Sequence, residues 1–439
     1  MTSTHGPSRA GVPAASAGEV RRAAWASLVG STIEWYDFLV FAAAAGLVFG
    51  PLFFPGLEPA SALLASFATI GVSFLARPLG GIVAGHLGDR LGRKAMLVAT
   101  LLLMGGSTTA IGLLPGYAAI GVSAPILLVL LRFVQGLSAG GEWGGAALLA
   151  VEHAPPGRRG TYGAFPQLGG SLGLVLANLA LLAVSSATTP EQFLAWGWRV
   201  PFLLSVVLIG VGLAVRAGVA ESPVFAELRR RGARQRAPLA ALWGGHRREL
   251  LIATGLFVGL NLCGYILIAF LGSYGSQRVG VSRSTMLVVG VFGALSWALW
   301  TVLGARWSDR VGRRAVFLAG TVALAVWAFP LFPLLATASL PLMLLAVFGL
   351  AFGLGLTYGP QAAAYAELFP PAVRYSGSSL AYAAGSILGG GFAPMVASWL
   401  LARTGSALAV SAYMALGCAI TLVAVLAWRE PSSAEPARR

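Results

Sequence analysis

A short polar phrase occurs once in each half of this 439-residue chain, and each copy lies between two long apolar runs. The first loop phrase is GHLGDRLGRKAML at 85–97, and the second loop phrase is GARWSDRVGRRAVF at 304–317. Each contains an Asp-Arg pair followed by an apolar residue, a Gly and two further cations. The usual excess of cations in cytoplasmic loops accounts for the Arg and Lys residues, but not for the matched Asp and Gly. The chain is therefore predicted to be a tandem duplication of one membrane bundle.

The composition indicates that most of this chain is embedded in a lipid bilayer. Hydrophobic residues make up 57% and charged residues 10% of the sequence, far from the values of soluble domains. The formal net charge is +15, but the cations lie in short breaks between apolar runs, so we expect no nucleic-acid partner. Both cysteines, Cys263 and Cys418, lie inside apolar runs without metal-ligand or disulfide spacing. We therefore expect no metal and no cofactor.

Apolar runs near the ~20 residues that a spanning helix needs predict twelve transmembrane helices. The fold class is thus an all-α membrane protein of two six-helix bundles, related by a pseudo-twofold axis along the membrane normal. The predicted helices are 28–50, 61–84, 95–115, 124–150, 161–185 and 199–219 in the first half, and 249–273, 284–305, 315–337, 341–366, 376–402 and 406–428 in the second. The predicted domains are a tail (1–27), a first bundle (28–220), a linker (221–248), a second bundle (249–428) and a short tail (429–439).

The placement of Arg and Lys predicts the orientation in the membrane. The breaks on one side hold both loop phrases and the Arg-rich linker, whereas the opposite breaks hold only Arg199, Arg278, Arg283 and Arg403. By the positive-inside rule, both termini and the linker face the cytoplasm. We expect a multi-pass protein of the bacterial inner membrane.

Ionisable residues at membrane depth are costly, so each is a functional candidate. Glu34 and Asp37 are three residues apart on helix 1 and therefore share one face of it. Together with Glu142 on helix 4 they give three deep carboxylates against two deep arginines, Arg77 and Arg132. One carboxylate is left without a cationic partner, so these three acids are the candidates for proton coupling. The alternative is that both acids of helix 1 pair with Arg77 in a structural ionic cluster.

Two arginines and a set of polar side chains are candidates for substrate binding. Arg132, and after it Arg77, is predicted to hold a substrate carboxylate, because the planar guanidinium binds carboxylates in a bidentate manner. The polar residues predicted to line the path are Gln167, Asn178, Asn261, Tyr265, Tyr358, Gln361 and Tyr382. Each of these also suits helix packing. Trp297, Trp300 and Tyr274 fit interfacial anchors better.

The loop phrases are predicted to control gating, since they lie at the membrane surface and far from a midplane site. The residues concerned are Gly85, Asp89, Arg90, Gly92 and Arg93 in the first phrase, and Asp309, Arg310, Gly312 and Arg313 in the second. The first phrase keeps small glycines at both positions ahead of its Asp, so we expect Asp89 to contribute more than Asp309. A parallel repeat around a midplane site is the architecture of secondary transporters.

The loop phrases resemble the loop motif of the major facilitator superfamily, which joins helices 2 to 3 and helices 8 to 9. Longer phrases resemble the metabolite:proton symporter family, namely GSTIEWYDFLVF, RPLGG, RFVQGLSAGGEWGGAALLAVEHAP, WGWRVPFLLS, ESPVF and AELFPPAVRYSGSSLAY. IGVSAPILLVLLRFVQGLSAGGEWGGAALL and TPEQFLAWGWRVPFLLS are most similar to its shikimate-transporter-like branch. The resemblance implies uptake of a small organic acid or zwitterionic metabolite with a proton, by alternating access, in a monomer within the bilayer.

Several alternatives are disfavoured by particular residues. The proline/betaine osmosensors of this family carry a long coiled-coil tail, whereas only EPSSAEPARR follows Arg429 here. Helix 5 lacks the GPxxGG-type phrase of drug:proton antiporters. The histidines do not cluster as an enzyme site would require, and no phosphate-binding loop is present to use ATP. We therefore expect a transporter and not an enzyme.

Overall fold

The computed structural model describes the backbone of residues 17–91, 93–140, 157–217, 244–370 and 373–430, with 147, 148, 150, 151, 154 and 155 between them. Side chains are described from residue 28 onward within these ranges, except at 84–97 and 215–217. All regular secondary structure in this part of the chain is helical. It includes ten helices that are long and apolar enough to cross a membrane and two shorter apolar helices. The all-α membrane fold is thereby confirmed.

The first half contains helices α1 to α6. Helix α1 runs over Ala17–Ala44 and continues through a π-helical turn, Ala45–Phe49, into Gly50–Phe53. The next four helices are α2 (Pro59–Leu91), α3 (Arg93–Leu113), α4 (Ser123–Ala139) and α5 (Arg159–Ala187). Helix α6 is built from Pro190–Gln192, the π-helical turn Phe193–Gly197, Arg199–Leu203 and Ser205–Ala217. A short turn, Tyr117–Ile120, precedes α4.

The second half contains helices α7 to α12. Helix α7 comprises Arg247–Tyr265, the π-helical turn Ile266–Phe270, Leu271–Ser273 and a second π-helical turn, Tyr274–Val279. The next three are α8 (Arg283–Val311), α9 (Arg313–Ala336) and α10 (Leu340–Leu368). Helix α11 comprises Arg374–Ser386, the π-helical turn Ile387–Gly391 and Ala393–Thr404, and α12 is Ala407–Ala427. Residues 218–243, which include most of the linker predicted at 221–248, lie outside the described residues.

The start of helix α6 differs from its predicted position. Helix α6 begins at Pro190 and not near residue 199, because Thr189 forms a capping box with Gln192. The Thr189 Oγ1 accepts from the Gln192 N–H at 3.2 Å, and the Gln192 Oε1 accepts from the Thr189 N–H at 3.0 Å. Helix α4 was expected to reach residue 150; its described part runs to Ala139, residues 147, 148 and 150 are also helical, and 141–146 lie outside the described residues.

The two halves meet along several pairs of helices. Helix α5 packs along α8 and α10, and α2 packs along α11. The α2–α11 contact is tight at Gly71, where a Cβ atom would lie 2.2 Å from the Phe392 ring. The π-helical turns of α1, α7 and α11 all lie in helices at this interface. Such turns interrupt regular helical hydrogen bonding and are frequent at functional sites.

Candidate functional site

A central cavity lies between the two halves. Its lining residues are Trp35, Leu39 and Gly170 from the first half, and Phe257, Leu260, Asn261, Gly264, Tyr265, Ile268, Trp297, Tyr358 and Tyr382 from the second. Four of the residues predicted to line the path, Asn261, Tyr265, Tyr358 and Tyr382, are thus brought together. Half of the lining residues are aromatic, so the cavity presents ring faces and few polar groups.

Arg77 of α2 lies beside this cavity. Its guanidinium stacks over the rings of Phe38, at 4.6 Å, and Phe74, at 4.3 Å. It also interacts electrostatically with the hydroxyls of Tyr265 and Tyr382, which line the cavity. Only 6% of the residue is exposed. Arg77 therefore supplies positive charge at the edge of an aromatic cavity.

Arg132 of α4 is fully buried near Arg77 and Tyr265. Its guanidinium lies over the ring of Phe41, at 3.9 Å, and its Nη1 donates to the Gln135 Oε1 at 2.7 Å. Its Nε and Nη2 have no hydrogen-bond partner among the described residues. A desolvated guanidinium with two unused donors is suited to a carboxylate, whose two oxygens accept in a bidentate manner.

A short hydrogen-bonded chain fixes the orientation of Arg132. The Gln135 Nε2 donates to the Thr108 Oγ1 at 2.7 Å, and that hydroxyl donates to the Met104 carbonyl at 2.9 Å. The sequence interpretation missed Gln135. The available signal was its position three residues after Arg132, which places both side chains on one face of α4.

The two acids of α1 have different neighbours. Asp37 is fully buried, and one of its carboxylate oxygens accepts a hydrogen bond from the Ser205 hydroxyl of α6, within the first half. Its Oδ2 has no hydrogen-bond partner among the described residues. Glu34 is half-buried and interacts electrostatically with Tyr382, in the second half. The face that the two acids share on α1 is therefore not a common site.

Several predicted site residues cannot be placed. Glu142 and Gly92 lie outside the described residues. The backbone at Gly85, Asp89, Arg90 and Arg93 is helical, but their side chains are outside the described part. The roles assigned to these residues stay predictions.

Asp309 of the second loop phrase binds the start of α5 across the interface. Its carboxylate accepts from the backbone N–H groups of Gly160 and Thr161, both at 2.8 Å, and from the Thr161 hydroxyl at 2.7 Å. The first N–H groups of a helix lack intrahelical partners, and the helix dipole favours an anion there. Asp309 therefore links the second half to the first at the end of the bundle that carries the loop phrases, which we call the basic end.

Arg313 connects this contact to two further acids. Its Nη1 donates to Asp309 at 2.6 Å, and its Nη2 lies 3.6 Å from the Glu367 Oε1. Glu430 accepts from the backbone N–H groups of Arg313, at 2.5 Å, and Arg314, at 3.3 Å, and so caps α9. Sequence interpretation missed Glu367 and Glu430, since neither belongs to the repeated phrase.

The remaining residues of the second loop phrase have distinct surroundings. Gly312 has φ of +94° between α8 and α9, a conformation that other residues rarely adopt. Arg310 is exposed.

Gln167 of α5 and Gln361 of α10 form a bridge between the halves. The Gln167 Nε2 donates to the Gln361 Oε1 at 3.0 Å and lies 3.3 Å from the Tyr358 carbonyl. Along α5, Gln167 lies between the Asp309 contact at Thr161 and the cavity-lining Gly170. The bridge therefore lies between the cavity and the basic end.

Asn178 lies further along α5, in a second cavity towards the opposite end of the bundle. That cavity is lined by Ala43, Leu47, Asn178, Leu267, Ile268, Ala269, Leu271, Gly272, Met286, Leu287, Val289, Gly290 and Val347. Ile268 lines both cavities. Asn178 and the predicted central residues thus occupy two separate spaces along one axis.

The halves also contact each other at the opposite end. The hydroxyls of Ser185 and Ser284 are 3.4 Å apart, and the Arg283 guanidinium lies 4.2 Å from the centre of the Phe193 ring. Contacts between α5 and α8 therefore exist on both sides of the central cavity.

Two aromatic residues expected to anchor the protein at the membrane interface are inside it, so that prediction is wrong for them. Trp297 is 6% exposed, lines the central cavity and has its ring centre 5.3 Å from that of Tyr358. Tyr274 is buried against Phe270 and Phe332. Trp35, which lies between the two acids of helix 1 in the sequence, also lines the cavity. Residue type alone does not distinguish a ring at the interface from a ring in the core.

Known proteins are similar to the chain along nearly its whole length. The family model of the Major Facilitator Superfamily matches residues 38–387 and 298–439. Inner membrane metabolite transport protein YhjE of Escherichia coli (strain K12) is 43% identical over 92% of this chain and 93% of its own length. The shikimate transporter of the same strain is 40% identical over 95% of this chain and 97% of its own length.

A solved structure has the same fold. The crystal structure of a D-xylose-proton symporter superposes with a TM-score of 0.73, covering 94% of this chain and 98% of that one. The sequence identity is 18%, so the likeness concerns the arrangement of the helices and not the ligand.

Proposed function

Because the chain belongs to the Major Facilitator Superfamily, we propose that it takes up a small organic acid together with a proton, by alternating access. Transport of a metabolite follows from the family and from relatives that are metabolite transporters, and the chain is not an enzyme. What we propose beyond this is that the metabolite is an acid, that a proton moves with it and that transport is into the cell. A relative that is a shikimate transporter supports a carboxylate substrate.

Arg132 is the main observation in support of an acidic substrate. It is fully buried, its Nε and Nη2 are unpaired among the described residues, and its remaining described hydrogen bond goes to the neutral Gln135. A buried charge of this kind is costly unless a counter-ion meets it. A substrate carboxylate supplies that counter-ion in the loaded state. Arg77, beside the central cavity, is the second cation that can attract an acid.

Asp37 is the proposed proton carrier. It is fully buried, and its one described hydrogen bond comes from a neutral hydroxyl, that of Ser205. An acid at membrane depth that is bonded to a neutral group and not to an arginine can bind and release a proton without breaking an ion pair. Glu34 interacts with Tyr382 of the second half, so we assign it a weaker role.

The contacts at the two ends of α5 and α8 are the proposed gates. In the orientation given by the Arg and Lys distribution, the basic end with Asp309 faces the cytoplasm and the Ser185 and Ser284 contact faces outward. Breaking the outer contact admits substrate and proton, and breaking the inner contact releases them. One chain contains both halves of the path, so a monomer in the inner membrane suffices.

Uptake into proteoliposomes tests this function. We expect purified protein, reconstituted with an acidic outside, to accumulate a labelled hydroxylated ring acid such as shikimate above its outside concentration, and a protonophore to abolish the accumulation. Proton-driven accumulation of proline or glycine betaine, with no competition by organic acids, would instead establish a compatible-solute symporter. Expulsion of hydrophobic cations, driven by protons moving inward down their gradient, would establish a drug:proton antiporter.

A further inference from the structure

The indole N–H of Trp297 is a donor without a partner in the central cavity. Trp297 is 6% exposed and lines the cavity, and its Nε1 has no hydrogen-bond partner among the described residues. Tryptophan has one polar atom, which only donates. A buried donor that stays unpaired costs free energy, and an oxygen of a ligand removes that cost.

Trp300, one helical turn further along α8, provides an internal comparison. Its indole N–H is also without a hydrogen-bond partner among the described residues. Its ring packs against Phe352, Phe348 and Trp307, and it does not line the central cavity. The two tryptophans therefore carry the same chemical group, but of the two only Trp297 is a lining residue of the cavity.

Trp297 lines the cavity, and Arg77, which is not itself a lining residue, interacts with two tyrosines that line it. Arg77 interacts with Tyr265, which lines the cavity, and Arg77 belongs to α2 of the first half. Trp297 belongs to α8 of the second half and packs against Tyr358. The space between is bounded by aromatic rings that suit the apolar faces of a ring-shaped ligand.

We propose that Trp297 is a specificity-determining residue, which selects among organic acids by donating a hydrogen bond to a hydroxyl on the ring of the substrate. The carboxylate lies on the arginine side, the carbon ring lies against the aromatic walls, and a ring hydroxyl accepts a hydrogen bond from the Trp297 Nε1. This inference rests on the proposed uptake of an organic acid and adds the second point of recognition. Both halves then contact the same substrate molecule.

Other acids of similar size match this arrangement less well. The trimethylammonium group of a betaine has no acceptor, so it leaves the Trp297 N–H unpaired. The second carboxylate of an open-chain dicarboxylate meets the faces of the aromatic lining residues, which repel anions. A ring hydroxyl is neutral and accepts one hydrogen bond, which is what an indole offers.

Calorimetric titration of the full-length protein in nanodiscs tests the inference. The probes are shikimate and cyclohex-1-ene-1-carboxylate, which share the ring and the carboxylate but differ in the hydroxyls. We expect wild type to bind shikimate at least about tenfold more tightly, equivalent to about 1.4 kcal/mol. In Trp297→Phe this ratio should fall to about threefold or less through weaker shikimate binding. The matched control Trp300→Phe should keep the wild-type ratio.

Two results overturn the inference while leaving the proposed function intact. One is a Trp297→Phe protein with the wild-type ratio. The other is a wild-type protein that binds 2-oxoglutarate more tightly than shikimate, a comparison that requires no variant. Tighter binding of glycine betaine than of any of the three acids, or failure of wild type to bind any of the three acids, overturns both the inference and the proposed function.

Discussion

At the scale of single residues, Asp37 and Arg132 are fully buried ionisable groups, and we propose that they meet a proton and a substrate. Both were chosen from the sequence, because a charged residue inside an apolar run can be recognised without knowing the structure. It did not identify their neighbours Ser205 and Gln135, since a neutral polar residue in a membrane helix is ordinary. Trp297 was misplaced for a related reason: its burial depends on packing against Tyr358 of α10 at the central cavity, which periodicity does not reveal.

Asp37→Asn should abolish proton-driven accumulation, because an amide cannot carry the proton. Substrate exchange across the membrane should survive, since it requires no net proton movement. Glu34→Gln should have a weaker effect of the same kind. The measurement compares uptake driven by a pH gradient with counterflow in the same proteoliposomes. Undiminished accumulation in both variants contradicts a coupling role for either acid.

Arg132→Ala should remove carboxylate binding, and Arg132→Lys should restore part of it, because an ammonium group cannot reproduce the planar fork. Arg77→Ala should weaken binding less, since Arg77 also packs between Phe38 and Phe74. Dissociation constants from titration give the comparison. A value for Arg132→Ala within about threefold of wild type, or ~0.6 kcal/mol, is incompatible with a direct contact.

At the scale of helices and loops, apolar runs gave the number of helices better than their ends. An apolar run measures the thickness of the hydrocarbon layer, whereas helical hydrogen bonding continues beyond it. Helix α8 therefore reaches Val311 although its apolar run was taken to end near residue 305. This extension places Asp309 on the last turn of α8, where it reaches the start of α5.

Asp309→Asn should shift the protein towards a state that is open at the basic end, because it weakens the charged contact with Gly160 and Thr161. Ala363, buried beside Gly163 where α10 meets α5, is a suitable reporter position. In an Ala363→Cys background, Asp309→Asn should raise labelling by a water-soluble maleimide severalfold, with intrinsic substrate affinity unchanged.

Glu249→Gln is the matched control for Asp309→Asn, since Glu249 pairs with His246 at 3.9 Å within its own half. Unchanged labelling together with lost affinity would assign Asp309 to the binding site instead. The expectation that Asp89→Asn impairs transport more than Asp309→Asn stays a prediction, and substrate uptake by the two variants in proteoliposomes decides it.

Glu430→Ala should destabilise the second half, because it removes the carboxylate that caps α9 at Arg313 and Arg314. A lost helix cap costs about 1 kcal/mol. We expect a lower apparent Tm of the purified protein, with substrate affinity retained. Arg429→Ala, which changes the exposed neighbouring residue, is the control. Equal Tm values for the two variants contradict the capping role.

At the scale of the whole molecule, duplication was the most informative property of the sequence. Two matched loop phrases predicted two bundles, and membership of the Major Facilitator Superfamily confirms the resemblance drawn from them. The central cavity was predicted only in part. Asn261, Tyr265, Tyr358 and Tyr382 were chosen as polar residues in apolar runs, whereas Trp35, Phe257 and Gly170 carry no such signal. Their convergence is a property of how the two halves pack.

The central claim is that acid and proton move together, and internal pH measures this directly. Proteoliposomes loaded with the pH-sensitive dye pyranine, with no initial pH gradient, receive an inward gradient of the transported acid. Valinomycin and potassium dissipate any voltage. We expect rapid internal acidification with the wild-type protein and none with Asp37→Asn. Substrate entry in wild type without a change in dye signal, beyond that of protein-free liposomes, would contradict proton symport.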